Sequence, residues 1–317
     1  MKTKALCVSA VQIDTQPGRI EENLAHATDL IDQAGQQGAQ LVLLPELMPG
    51  GYSLTEEIWD CGEPFDGRTT SWLKTTAKRL GIYLGTSFLE AEGEDFYNTF
   101  ALATPDGEIA GRVRKSPPAS LEAYFYRAGC TPHVIETELG RIGVGICYEN
   151  LLFERLNDLV QSSVDLVLQP SAAGRLKPIR PGDVALFDRM VERIPVRFAK
   201  VLGVPTVLAN RAGRIQTKLP GEHGEFDSSF PGLSRIVDSD GTIKAKMGEE
   251  EGVIVSKVRL DQSRKRNAKP RCFGKMWALP VPWYAGIWPM TQSEGEQAYA
   301  ANEQRKARAL RLLKQIY

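Results

Sequence analysis

Short apolar runs alternate with segments of helical periodicity along most of the 317-residue chain. Continuous apolar runs are typical of strands covered on both faces, and we predict such strands at 5–13, 41–45, 82–89, 142–147, 165–170 and 204–209. Apolar residues three and four positions apart predict amphipathic helices at 20–34, 69–80, 151–163, 184–202 and 294–317. This alternation predicts an α/β fold.

Turn signals add strands that lie outside the regular alternation. Pro105-Asp106-Gly107 is a hairpin signal between predicted strands at 98–104 and 108–114. Pro195 lies inside a predicted helix and should either kink it or start a new helical segment. Further short strands are predicted at 133–136, 233–237 and 253–259.

The simplest organisation is one compact domain at 1–264 with a C-terminal extension at 265–317. Within the extension, residues 276–290 are rich in tryptophan and proline, and such a segment is hard to leave in water. We expect it to cover another surface, either across a subunit interface or on its own domain.

Composition narrows the classes of partner. Thirty-nine acidic residues balance thirty-nine basic ones, which gives no electrostatic reason to expect nucleic acid or an anionic membrane as a partner. No apolar run reaches the length of a membrane span, and the N-terminus lacks the pattern of a signal peptide. The five cysteines are odd in number and have no paired spacing, which favours a reducing, cytoplasmic location. With no CxxC pair and only three histidines, we expect no metal site.

Three residues that could carry chemistry each follow a predicted strand: Glu46, Lys115 and Cys147. A carboxylate could act as the base for a thiol nucleophile, and an ammonium group could stabilise an oxyanion. Cys147 also lies between a strand and a helix, where a helix N-terminus can lower a thiol pKa. On these grounds alone, a small buried cysteine and two solvated strand ends are the more common interpretation.

A resemblance to a known family decides between these interpretations. Eight segments of the chain resemble the nitrilase, or carbon–nitrogen hydrolase, superfamily, in the family order and over roughly residues 5–261. They are LVLLPELMPGGY (41–52), YNTFALATPDGEIAGRVRK (97–115), EAYFYRAG (122–129), GRIGVGICYENLLFER (140–155), DLVLQPSA (165–172), VLAN (207–210), GLSRIVDSDGTI (232–243) and EEGVIVSKVRLD (250–261). The resemblance implies a four-layer α-β-β-α sandwich, no metal or organic cofactor, and assembly into a homodimer or higher homo-oligomer.

The same resemblance implies roles for individual residues. Glu46 is expected to be the general base, Lys115 the oxyanion stabiliser and Cys147 the nucleophile. Glu122 matches a second family glutamate, with a supporting role in orienting Lys115 or the substrate. Four other residues are expected at the oxyanion site or the substrate pocket: Tyr148, Glu149, Tyr52 and Ser171.

The expected reaction is hydrolysis of a non-peptide C–N bond, in an amide or N-carbamoyl group of a small molecule, through a cysteine thioester. A nitrilase is less favoured, because family nitrilases often have tryptophan where this chain has Tyr148. The segment ICYE (146–149) also resembles apolipoprotein N-acyltransferases, whose membrane helices this chain lacks. Spacing alone leaves a Cys–His protease open. A non-catalytic binding protein on the same scaffold is the remaining alternative.

Overall fold

The computed structural model describes residues 3–175, 180–267, 272, 274–278 and 280–314. In chain order, its strands are β1 (Lys4–Gln12), β2 (Leu41–Leu43), β3 (Tyr83–Glu92), β4 (Asp95–Ala103), β5 (Ile109–Arg114), β6 (Val134–Thr137), β7 (Gly140–Val144), β8 (Leu166–Ser171), β9 (Thr206–Asn210), β10 (Ala212–Lys218), β11 (Glu225–Pro231), β12 (Arg235–Val237), β13 (Ile243–Lys246) and β14 (Gly252–Leu260). The α-helices are α1 (Ile20–Gln36), α2 (Arg68–Leu80), α3 (Phe153–Gln161), α4 (Asp183–Leu202), α5 (Trp288–Ala301) and α6 (Glu303–Lys314).

Two six-stranded mixed sheets stack on each other. The first has the order β14-β1-β2-β3-β4-β5 and the second the order β13-β12-β9-β8-β7-β6. Strands β1, β2 and β3 are parallel neighbours in the first sheet, as are β7, β8 and β9 in the second. One apolar core fills the space between the sheets, and two others lie under the flanking helices. This is the predicted four-layer α-β-β-α sandwich.

The two-residue period of the strands explains how they build both cores. In β2, Leu41 and Leu43 point into the core between the sheets. Val42 and Leu44 point the other way, into the core beneath α1 and α2. Because both faces are covered by apolar layers, the sequence of such a strand is a continuous apolar run and not an alternating one.

Several predicted elements have different bounds in the structure. The helix predicted at 151–163 begins only at Phe153, because a separate 3-10 helix at Cys147–Leu151 comes first. The helix predicted at 294–317 is two helices, α5 and α6, that meet at Asn302, whose extended backbone ends α5. The two-stranded sheet of β10 and β11 was not predicted, because the sequence between 212 and 231 has no clear apolar alternation.

Helix α4 continues through Pro195 as a single element. The alternative prediction that Pro195 starts a new helical segment is therefore wrong. Proline removes one backbone hydrogen bond of the helix. Val191, Ile194 and Phe198 are buried on both sides of it, and their packing against β8 and β9 holds the helix together across the gap.

The C-terminal extension packs on its own chain. Trp277 meets Phe198 of α4 edge to face, with ring centroids 5.0 Å apart. Helix α5 packs along the 3-10 turn at Ser120–Tyr124, and its Thr291 hydroxyl lies 2.7 Å from that of Ser120. We expected residues 276–290 to cover either a subunit interface or their own domain, and the described part packs on its own domain. A contribution to a subunit interface stays a prediction. The domain boundary between residues 264 and 265 also stays a prediction. In the described part of the chain, no helix is both long and apolar enough for a membrane span.

Candidate active site

Three strand ends bring the predicted residues together. Glu46 follows β2, Lys115 follows β5, and Cys147 follows β7 in the opposite sheet. Lys115 Nζ lies 2.6 Å from Glu46 Oε1, and the Cys147 thiol is close enough to the Glu46 carboxylate to shift its pKa. The two charged side chains are fully buried, whereas Cys147 is partly exposed. The sulfur is therefore the member of this group that a solute can reach.

The Glu46 carboxylate has a second set of partners, which the sequence analysis missed. Asn98 Nδ2 donates to Glu46 Oε1 at 2.8 Å, and the Ala172 backbone N–H donates to Oε2 at 2.9 Å. Asn98 lies in β4 and is completely buried. The sequence offered one signal for this role of Asn98. A polar amide within an otherwise apolar, buried strand needs a hydrogen-bond partner. These donors fix both oxygens of Glu46.

Glu122 joins the group through Lys115. Its Oε2 lies 2.6 Å from Lys115 Nζ and accepts the Ala119 backbone N–H at 2.7 Å, while Oε1 accepts the Tyr52 hydroxyl at 2.9 Å. Lys115 therefore bridges Glu46 and Glu122, and its ammonium group is held at a fixed point. The predicted link between Glu122 and Lys115 is present as a direct ion pair.

Cys147 has a strained backbone for a residue with a side chain. Its φ is +51°, in the left-handed region, and it opens the 3-10 helix Cys147–Leu151. Such conformations cost about 1–3 kcal/mol and are concentrated at functional sites. Asn150 holds the turn, because its Nδ2 donates to the Cys147 carbonyl at 3.0 Å and to the Gly145 carbonyl at 2.7 Å. The Tyr148 N–H is in the first turn, where backbone donors have no partner within the helix.

Glu149 differs from the prediction that placed it in the pocket. It is completely buried and does not line the cavity beside Cys147. Its carboxylate accepts the Ile146 N–H at 2.6 Å and the Ser116 N–H at 2.7 Å, and it contacts His133 Nε2 at 2.7 Å. Glu149 thus ties the backbone before Cys147 to the backbone after Lys115. His133 was not predicted as a partner because it lies far from Glu149 in the sequence.

Burial and neighbouring charges set the protonation of the site. Burial raises the pKa of the Cys147 thiol well above its usual value, and Glu46 adds to this effect while Lys115 opposes it. Burial also raises the pKa of Glu46, although Lys115 lowers it in part. Burial would lower the pKa of Lys115, but Glu122 and Glu46 more than offset it and raise that pKa well above the ordinary range. These shifts favour a neutral thiol and a charged ammonium group, and they increase the basicity of the Glu46 carboxylate.

A cavity of about 620 Å³ opens beside the sulfur. Its wall includes Cys147 and Glu122 together with the predicted pocket residues Tyr52, Tyr148 and Ser171. This volume is within the range of small-molecule sites. Among the described residues, no group of three or more His, Cys, Asp or Glu side chains is arranged to hold a metal ion. A nucleophile, a base and a charged donor thus meet at the wall of a cavity that can admit a small molecule.

Comparisons with known proteins place this chain in a family. The family model for carbon–nitrogen hydrolases matches residues 7–268. The chain is 30% identical over 278 residues to an N-carbamoylputrescine amidase of Solanum lycopersicum, covering 84% of this chain and 90% of that protein. It is also 30% identical over 264 residues to an omega-amidase of Xenopus tropicalis, covering 80% of this chain and 88% of that protein.

Solved structures share the fold. A carbon–nitrogen hydrolase from Helicobacter pylori G27 superposes with a TM-score of 0.73 at 23% identity, covering 82% of this chain and 91% of that one. A mutant amidase from Nesterenkonia sp. AN1, with the acetamide moiety of fluoroacetamide bound covalently at its active site cysteine, gives a TM-score of 0.64 at 23% identity and covers 82% of this chain and 92% of that one. The match of the family model over most of the chain shows that this protein belongs to the carbon–nitrogen hydrolase family, within the nitrilase superfamily.

Proposed function

We propose that this protein hydrolyses the C–N bond of an amide or N-carbamoyl group in a small molecule, with Cys147 as nucleophile, Glu46 as general base and Lys115 as oxyanion stabiliser. One observation carries the proposal. The thiol at the cavity wall and Glu46, a buried carboxylate of raised pKa, are close enough to shift each other's pKa, and Lys115 Nζ lies 2.6 Å from that carboxylate. A neutral thiol beside a base is the arrangement that a nucleophile activated during attack requires.

In the first step, Glu46 takes the proton of Cys147 while the sulfur bonds to the carbonyl carbon. The π electrons of the C=O bond move to the oxygen, where Lys115 and the Tyr148 N–H stabilise the negative charge. The C–N bond then breaks, and Glu46 returns its proton to the departing nitrogen. The products of this half-reaction are a free amine or ammonia and a thioester on Cys147.

In the second step, water replaces the leaving group. Glu46 takes a proton from this water as its oxygen bonds to the thioester carbon, and the same donors stabilise the second oxyanion. The C–S bond breaks, and the proton held by Glu46 returns to the sulfur. Cys147 is restored as a thiol, the acid product leaves, and no metal or organic cofactor takes part.

Glu122 acts in this scheme as a positioning residue. It holds Lys115 by an ion pair of 2.6 Å and is itself fixed by the Tyr52 hydroxyl and the Ala119 N–H. A lysine side chain has several rotatable bonds, and an oxyanion donor must stay within a fraction of an ångström of its working position. Removal of Glu122 is expected to weaken the oxyanion site without removing the nucleophile.

The relatives support a C–N bond in an amide or carbamoyl group over a nitrile. Proteins named N-carbamoylputrescine amidase and omega-amidase each match most of this chain at about 30% identity. The neighbouring amidase structure carries the acetamide moiety of fluoroacetamide covalently on its active site cysteine, and a nucleophilic cysteine in that protein supports the role proposed here for Cys147. Nitrile hydrolysis, and ligand binding without turnover, are the alternatives that an activity screen distinguishes.

The direct test is release of ammonia or amine from a panel of primary amides, N-carbamoyl amines and nitriles. The wild-type protein should release product from an amide or a carbamoyl compound, and Cys147→Ala should show no turnover while keeping the thermal unfolding temperature of the wild type. Exposed Cys130 provides a matched control, since Cys130→Ala should retain full activity. Turnover of nitriles alone, or undiminished turnover by Cys147→Ala, would overturn the assignment.

Assembly and location complete the proposal. We expect a homodimer or higher homo-oligomer, testable by sedimentation of the full chain. A cytoplasmic location is supported by the five cysteines, all of which are free thiols. Fractionation of cells that produce the protein tests this expectation.

A further inference from the structure

We infer that the acyl group transferred to Cys147 is an uncharged hydrophobic chain or ring, accommodated in an apolar chamber that continues from the sulfur beneath helix α4. This inference rests on the proposed hydrolysis and adds the class of substrate. It makes the preferred substrate a hydrophobic carboxamide, which differs from the diamine derivative in the names of the relatives.

One face of α4 forms the inner wall of the chamber. Phe187, Met190, Val191 and Ile194 follow the three- and four-residue spacing of a single helical face, and all four line the cavity. Each is at most 9% exposed, so this side of the cavity is closed to solvent, whereas exposed His223, Glu225 and Ile287 mark its open side. A helix face that packed fully against its sheet would leave no such space.

The remaining walls are apolar as well. Leu208 of β9 and the aromatic rings of Phe226 and Phe230 on β11 border the same cavity. Trp288, at the start of α5, contributes from the C-terminal extension and packs edge to face on Tyr148 at 5.2 Å. Hydrophobic surface from four parts of the chain therefore converges beside the nucleophile.

The charged side chains described in the cavity wall are either already paired with another group or exposed to solvent. Among the described residues that line the cavity, the charged or titratable groups other than the nucleophile and the tyrosines are Glu122, His223 and Glu225. Glu122 is bound by Lys115 and Tyr52, and Glu225 is exposed. His223 is exposed and lies 3.1 Å from Glu294 Oε2. Among the described residues, a carboxylate or ammonium group on the acyl chain would thus find no free buried partner to replace the water that it loses, which is costly.

The chamber suits the acyl side of the scissile bond better than the leaving side. After the amine departs, water must occupy its place next to Glu46, and an apolar enclosure holds water poorly. The acyl group, in contrast, stays bonded to Cys147 through both half-reactions. Hydrophobic contacts to it can therefore stabilise both transition states.

The size of the cavity supports the same class of substrate. A cavity of about 620 Å³ corresponds to the liquid volume of roughly 20 water molecules at about 30 Å³ each. Acetamide would leave most of it filled with poorly bound water, and a longer apolar chain would displace that water with a gain in binding. We expect kcat/KM to rise by about fourfold for each added methylene until the chamber is filled.

The test is a series of straight-chain primary amides from acetamide upward, compared with amides of equal length that end in a carboxylate or an ammonium group. The charged members should have kcat/KM values about tenfold or more below the apolar member of equal length. N-alkylacetamides place the same chain on the leaving amine and should gain little with length. A flat acyl series, a preference for a charged end, or a gain only on the leaving side would each overturn the inference.

Binding to Cys147→Ala separates this inference from the proposed reaction. Titration calorimetry with the same primary amides should show Kd falling by about fourfold per methylene. If no compound is hydrolysed by the wild type but this trend is observed, the proposed reaction fails and the apolar chamber stands. If amides are hydrolysed but neither series depends on length, the chamber assignment fails and the reaction stands.

A filling substitution tests the location of the chain. Val191→Phe places a larger side chain in the chamber and should lower the ratio of hexanamide to propionamide kcat/KM by about tenfold. Ala185→Phe is a matched control on the same helix, at an exposed position away from the cavity, and should leave the ratio within about twofold. If Val191→Phe fails to fold, Phe226→Trp on β11 serves the same purpose. An unchanged ratio in a folded variant contradicts the placement.

Discussion

Lys115 Nζ lies 2.6 Å from Glu46 Oε1 and 2.6 Å from Glu122 Oε2, and the side chains of Lys115 and Glu46 are entirely closed off from solvent. One ammonium group is thus shared by two buried carboxylates. Burial alone would lower the pKa of this group, but Glu122 and Glu46 raise it well above the ordinary range and so favour the charged form. It can therefore serve as a permanent positive charge beside the sulfur.

Lys115→Met should lose both stability and activity. The substitution leaves two buried carboxylates without their cation, and breaking a buried ion pair in this way costs about 3–5 kcal/mol in free energy of unfolding. Loss of one oxyanion donor should lower kcat by about 100-fold or more. Urea unfolding and amide turnover measure the two effects separately.

The double variant Lys115→Met/Glu122→Gln is the control for that experiment. Removing one of the two unpaired carboxylates should recover part of the lost free energy of unfolding, but it should recover no activity. Recovery of turnover together with stability would mean that Lys115 acts only as a structural counter-ion.

Glu46→Gln should lower the pKa of Cys147 while abolishing turnover. The carboxylate of Glu46 is one of the groups that raises this pKa, and Lys115 would remain to favour the thiolate. Ultraviolet absorbance of the thiolate, measured against pH with Cys147→Ala as the blank, reports the change. Glu122→Gln removes a more weakly acting negative charge and should give a smaller fall. An unchanged or raised thiol pKa in Glu46→Gln would contradict the electrostatic account.

Asn98→Ala should move the acid limb of the pH–rate profile to higher pH. Asn98 donates to Glu46 Oε1 at 2.8 Å and so favours the ionised, basic form of this carboxylate. A hydrogen bond to a charged group contributes about 1.5–3 kcal/mol, which corresponds to about one to two pH units. Thr99→Val is a matched control on the same strand, because its hydroxyl bonds to Glu90 at 2.5 Å and not to Glu46. The acid limb of the pH–rate profile should not move in Thr99→Val.

Glu149→Gln should destabilise the protein near neutral pH, and this destabilisation should disappear at acidic pH. Burial opposes ionisation of Glu149, but His133, Arg155 and the Ser116 N–H outweigh it and hold its pKa below the ordinary value of 4.5. A carboxyl group with a depressed pKa stabilises the fold above its unfolded pKa, and the contribution is lost as pH falls through the folded value. The variant should be about 3–5 kcal/mol less stable at neutral pH.

Urea unfolding of wild type and Glu149→Gln across pH checks this linkage. The difference in free energy of unfolding between the two proteins should be constant above pH 5 and shrink below the ordinary carboxyl pKa of 4.5. A difference that is independent of pH would show that the carboxylate charge of Glu149 does not carry its role.

Much of this molecule could be predicted from its sequence because local patterns determine it. The strands are buried on both faces, so β1, β2 and β8 are continuous apolar runs, and the ordered family-like segments identified Glu46, Lys115 and Cys147. Both signals depend on neighbours in the sequence.

The features that sequence reasoning missed depend on contacts between distant segments. Asn98 gives no sign of its target 52 residues away, and the carboxylate of Glu149 accepts the Ser116 N–H from a segment 33 residues away. The break between α5 and α6 at Asn302 interrupts a pattern that reads as one continuous helix. The cavity is lined by residues of both α4 and β11, and neither segment alone indicates a cavity.

Acid quenching during turnover of a hydrophobic amide, followed by peptide mass mapping, tests the central claim most directly. The peptide containing Cys147 should carry the acyl group, with a mass gain equal to the amide less ammonia, and the peptide containing exposed Cys130 should be unmodified. Amide hydrolysis at the wild-type rate by Cys147→Ala, with no acylated peptide in the wild type, would contradict the account.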